Sequence, residues 1–186
     1  MDLTGGFFST YTPTDPAEVA RQAEIDRRTL QLGPKACPED GEVVGIGVIC
    51  DIMPPDPERP FQYHVSFYEF VDLASGKRVI IQNDRGVSMG GVWANPDGTS
   101  GRYRPLVTED TVRQDADGAL QPDEGDVEDA GEKRPWHWLS ELAARQGISV
   151  TPERLKSLDY QYEHTNELQA RIRDDRGGAT KSHHYH

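Results

Sequence analysis

No run of about 18 apolar residues occurs anywhere in the 186-residue chain, so the sequence offers no helical membrane span. The opening stretch, MDLTGGFFSTYTP, has neither a basic start nor an apolar core segment, which argues against a secretory leader and makes a cytoplasmic location the expectation. Cysteine is nearly missing: Cys37 and Cys50 are the only two. They show no CxxC or His–Cys spacing of the kind zinc requires, and without an export signal they are expected to be free thiols. Positive charge is also scarce. Twenty Lys and Arg face 32 Asp and Glu, for a net charge of −12. That sign disfavours nucleic-acid phosphates and anionic lipid surfaces as partners and permits docking on a basic protein. No motif asks for a cofactor.

What the chain does hold is a series of strand-like runs between residues 42 and 107. Residues 42–53 (EVVGIGVICDIM) are rich in β-branched side chains. There Gly45 and Gly47 alternate with Val44, Ile46 and Val48, leaving one face nearly bare, which suggests a bulge or the close approach of another backbone. Residues 61–72 (FQYHVSFYEFVD) alternate cleanly, with Tyr63, Val65, Phe67, Glu69 and Val71 on one side. Further runs follow at 77–82, 87–93 and 102–107. Ala74-Ser75-Gly76, Asn83-Asp84-Arg85-Gly86 and Asn95-Pro96-Asp97-Gly98 read as turns between them, while 53–60 (MPPDPERP) reads as a stiff loop. Short sequential connections favour an antiparallel meander of about five strands.

Helices are expected on either side of this sheet. Asp15-Pro16-Ala17-Glu18 is a strong start, and its helix should reach about Leu32 before Gly33-Pro34. After the sheet, seven acidic residues fall between positions 115 and 129 with few apolar ones, so 108–134 reads as an acidic mobile loop. Trp136 to Gln146 and the residues after Thr151-Pro152 read as short helices. A strand-like DYQYE (159–163) and a cap at Thr165 come next. The fold class is therefore α+β: one domain over 15–173, with residues 1–14 loosely ordered and 174–186 disordered.

Three motifs carry chemical possibilities. Gly86-Val87-Ser88-Met89-Gly90 matches G-x-S-x-G and resembles the nucleophile elbow of the α/β-hydrolases, which implies Ser88 as nucleophile with His137 or His164 as base. Val92-Trp93-Ala94-Asn95-Pro96 follows it instead of a helix, so the bland reading is an extended strand. Asp115-x-Asp117-Gly118 echoes a calcium loop, but Arg113 stands at the first ligand position and Pro122 interrupts the exit. Trp136-His137-Trp138 is best read as a helix anchored on the sheet by one ring, with the other ring free for contact.

The function expected from these features is that of a non-enzymatic acidic protein docking on a basic protein partner. Its contact surface would be Trp136, the Asp84-Arg85 turn, and Asp115, Asp117, Asp123, Glu124 and Asp126. In general character it is similar to the immunity proteins that neutralise bacterial toxins, and its preference for Arg over Lys fits a GC-rich bacterial or phage genome. The alternatives are a small serine hydrolase using Ser88, and a phage or assembly component joined through a sheet edge.

Overall fold

Runs that alternate large apolar side chains bury their faces only when each backbone edge finds a partner. The computed structural model describes residues 15–56, 58–59, 62–94, 100–103 and 105–179. In it, β1 (Val43–Ile52), β2 (Tyr63–Leu73), β3 (Arg78–Met89) and β6 (Tyr160–His164) form one sheet in the order β3-β2-β1-β6. The β1–β2 and β2–β3 pairs are antiparallel, whereas β6 runs parallel to β1 with Ile46 opposite Tyr160 and Cys50 opposite His164. β4 (Gly91–Ala94) and β5 (Ser100–Tyr103) pair with each other in a separate ribbon.

The α+β class holds, but the five-strand meander does not. Asn83-Asp84-Arg85-Gly86 is the middle of β3, not a turn, and β3 joins the stretch expected over 77–82 to the start of the one expected over 87–93, the rest of which falls in β4. Its register against β2 shifts on either side of Glu69, so the turn-forming residues are absorbed as bulges. The turn expected at 95–98 lies outside the described residues. The stretch expected as a strand over 102–107 overlaps β5 only at its start.

Both faces of the sheet are covered. Val48, Val65, Phe67, Val71 and Ile81 pack under α2 (Glu109–Ala119), α3 (Trp136–Arg145), α4 (Pro152–Lys156) and α5 (Asn166–Ala179). Tyr68, Phe70 and Ile80, on the other face, meet Ile25 of α1 (Pro16–Arg28) and Leu30 just beyond it. The α1 helix begins as expected, with Asp15 Oδ1 accepting from the Ala17 amide at 2.9 Å, and it ends at Arg28, short of Leu32. Arg28 fixes it to the sheet by donating to Asp51 and to the Ile52 carbonyl, both at 2.5 Å. On this same face Gly45 and Gly47 are buried, and Phe70, Asp72 and Gln161 fill the space their side chains would take. Arg78 stacks on Phe70 (3.6 Å) and pairs with Asp72 of β2 and Glu163 of β6.

The acidic stretch is a second correction. Residues 109–119 form α2 rather than part of a loop. Val112, Ala116 and Leu120, spaced four apart, are buried on the sheet, and Thr108 caps the helix by accepting from the Thr111 amide. The α5 helix also continues to Ala179, beyond the expected limit at 173. Residues 1–14 and 180–186 lie outside the described residues. Cys37 is exposed and Cys50 buried, both free. No helix among the described residues is long and apolar enough to cross a membrane.

Candidate functional site

The residues expected to form a docking surface divide into a structural set and a displayed set. Asp129 is 1% exposed and accepts from the His137 amide (3.0 Å), the His137 ring Nδ1 (2.9 Å) and the Trp138 amide (3.4 Å). It supplies the N-terminal cap that Pro135 cannot give α3. Asp126 Oδ1 accepts from the amides of Glu128 and Asp129, closing the turn before it. Asp123 pairs with Arg85 of β3 at 3.1 Å, so the acidic segment touches β3 at a strand residue expected in a turn. Asp84, also on β3, is exposed and accepts from the Gln82 amide group. Glu124 and Glu128 are exposed, and between them Val127 is 87% exposed.

Trp136 is not a free contact. It is buried against β6, edge-on to Tyr160 at 6.3 Å, while Trp138 is the half-exposed ring. Asp115 is half-buried on α2, and that burial raises its pKa. Asp117, on the same helix, accepts from Arg134 and from the Tyr162 hydroxyl; burial pushes its pKa up, but these partners outweigh it and the net shift is downward. A helix cannot wrap a cation as a calcium loop does, and no group of His, Cys, Asp or Glu among the described residues is arranged to hold a metal ion.

Ser88 lies in extended β3, directly opposite His64 of β2, with its Oγ 3.0 Å from His64 Nδ1. Burial and the nearby Arg21 charge lower the His64 pKa, so its neutral ring can accept the serine proton. The bend after Ser88, at Gly90 (φ 103°), leads into β4 and not into a helix, so no helix N-terminus faces the serine as in a nucleophile elbow. His137, the base expected from the motif, is instead held by Asp129, and His164 ends β6 opposite Cys50. His64 was visible in the sequence only as one position of an alternating strand. The register of β3 is what brings it to Ser88.

A third constellation was not anticipated. Glu69, on the row of β2 that faces the helices, is 1% exposed and accepts from the Tyr160 hydroxyl at 2.7 Å. Burial raises its pKa to about 7 despite the favourable charges of Arg134 and Arg85. Above Tyr160 and Tyr162 lies the guanidinium of Arg134, 4% exposed, which donates to the Tyr162 hydroxyl at 2.6 Å and pairs with Asp117. A single charged residue in the inward row of an alternating strand was the available signal for Glu69. Nothing local marked Arg134.

No protein-family model, curated protein or solved structure matches the chain.

Proposed function

We propose that the protein is a non-enzymatic binding protein that docks on a basic protein partner through the acidic segment between α2 and α3. The observation that supports this most is the way that segment is held. Asp126 closes its turn and Asp129 ties it to α3, while Glu124, Val127 and Glu128 project outward. A surface organised before encounter loses less conformational entropy on binding, and an exposed apolar residue flanked by carboxylates suits a partner with an apolar spot inside a basic field. The net charge of −12 adds long-range attraction. Trp136 contributes by holding α3, and Asp117 and Asp123 by anchoring the segment's two sides.

The test is the combined variant Glu124→Gln, Val127→Ser, Glu128→Gln, which leaves both anchoring aspartates in place. A basic partner captured from the host and then purified should bind the variant at least about tenfold more weakly, with a flatter dependence on salt. Undiminished affinity would remove the proposal.

The contact between His64 and Ser88 favours a second reading, a serine hydrolase. A fluorophosphonate probe separates the two. Labelling of the native protein that is lost in both Ser88→Ala and His64→Gln would establish the enzyme, and no labelling would leave the docking reading standing.

A further inference from the structure

We infer that the cleft between α2, β6 and the residues leading into α3 binds a small planar anion, a single aromatic or heteroaromatic ring system bearing a carboxylate or phosphate. This site shares the two ends of the segment between α2 and α3, through Gln121, Lys133 and Arg134, but none of the displayed residues Glu124, Val127 and Glu128. The cleft has a volume of about 440 Å³, and its walls include Arg113, Gln121, Lys133, Trp136, Tyr160 and Tyr162. Ligand clefts in proteins commonly enclose a few hundred Å³, with aromatic walls and a small number of convergent polar groups.

Charge separates this cleft from an ordinary surface depression. Arg134 and Asp117, which also line it, neutralise each other. Arg113 and Lys133 make no ion pair among the described residues, although acidic side chains are plentiful around them. Glu132, beside Lys133, pairs with Lys156 instead. Three cations, Arg113, Lys133 and Arg134, therefore line one concavity against the single carboxylate of Asp117, in a chain whose net charge is −12. The chain's overall field is screened beyond about 8 Å at physiological ionic strength, so a bound group a few ångströms away responds to these lining charges first.

The rings explain why a flat anion fits better than a bare one. Tyr160 and Tyr162 meet edge to face at 5.5 Å, and the Arg113 guanidinium lies 4.5 Å over the Tyr162 ring. Stacking occupies the face of a guanidinium and leaves its in-plane N–H donors available, which is the geometry that grips a carboxylate or phosphate with two hydrogen bonds. The Nε of Arg134, buried without an acceptor, is a further unmet donor on the same wall. A ring inserted beside Trp136 and Tyr160 gains apolar contact while its anionic group reaches Arg113 and Lys133.

Isothermal titration of the full chain with adenosine monophosphate, indole-3-acetate, adenosine and inorganic phosphate tests the inference. At least one of the two ringed anions should bind. Adenosine and phosphate should each bind at least about tenfold more weakly. The double variant Arg113→Gln, Lys133→Gln changes exposed side chains and should keep the native melting temperature while losing at least about tenfold in affinity. Binding of the nucleotide alone or of the indole acid alone identifies the source of the anion. Three results would overturn the inference: no binding by either ringed anion, equal binding by phosphate or adenosine, or unchanged affinity in the folded double variant. The Glu124, Val127, Glu128 variant should bind these ligands normally, so failure here is separable from failure of the docking proposal.

Discussion

Tyr160 on β6 donates its hydroxyl hydrogen to Glu69 on β2 at 2.7 Å, so the contact reaches over the intervening β1. The other oxygen of Glu69 is buried with no hydrogen-bond partner, and burial raises this carboxyl's pKa to about 7.

A dependence of stability on pH follows. The folded protein holds the Glu69 proton more tightly than the unfolded chain, whose carboxyl has its ordinary pKa of 4.5. The contribution of this group is therefore fully present below that value and is lost as pH rises through about 7. His137, raised by Asp129, acts in the same direction, while His64 and His164, lowered by burial, act in the opposite one. Glu69→Gln keeps an acceptor for Tyr160 and removes only the titration. Thermal melts from about pH 5 to about pH 8 should show a shallower decline in Tm for this variant than for the native chain, and parallel curves would refute the assignment.

Removing the carboxylate that caps α3 should cost more than an exposed cap does, because Asp129 is buried. Asp129→Ala is expected to destabilise the fold by about 2 kcal/mol, a fall in Tm of roughly 4–8 °C for a domain of this size. An NMR titration should also show the His137 pKa dropping back toward 6.5, since the hydrogen bond its ring donates to Asp129 is the main cause of its rise. A native melting curve, or an unmoved His137, would contradict the capping role.

Gly47 has no room for a side chain. A methyl group there would stand 2.5 Å from the Gln161 carbonyl oxygen and 2.9 Å from the Phe70 ring. Gly47→Ala must push β6 away from β1, at a cost of more than about 2 kcal/mol in urea unfolding. Amide exchange in residues 160–164 should accelerate before that in β2. Uniform acceleration across the whole sheet would point to a different cause.

Two arginine–aspartate pairs should differ sharply in value. The side chains of Arg134 and Asp117 are 5% and 49% exposed, whereas those of Arg85 and Asp123 are 28% and 75% exposed. Arg134→Ala leaves the Asp117 and Tyr162 cluster without its donor and should cost about 3 kcal/mol. Asp123→Asn should cost less than about 0.5 kcal/mol. Similar losses in denaturant titration would show that burial is not what distinguishes them.

Much of the fold was legible because local chemistry decides it. Asp15-Pro16, Thr151-Pro152 and Thr165 each precede a helix, Gly147 (φ 82°) follows α3, and the DYQYE alternation becomes β6. The rest depended on distant partners. Nothing within Tyr160–His164 says that it joins β1, or in which direction. Asn83 to Gly86 have turn chemistry, but β2 offers a ladder that accepts them with bulges. The charges of α2 masked its Val112, Ala116 and Leu120 stripe. Of the candidate site, the extended setting of Ser88 could be read in advance. Whether Trp136 or Trp138 turned inward could not, because the ring that Trp136 packs against, Tyr160, lies on a strand distant in sequence.

The parallel placement of β6 sets an order of events during synthesis. One edge of β1 has no neighbour until the ribosome has delivered a segment more than a hundred residues downstream, as the pairing of Ile46 with Tyr160 requires. Until then a nascent or prematurely terminated chain carries an open, apolar strand border through the crowded cell. Fragments that stop before residue 160 are therefore the form of this protein most prone to stick to one another.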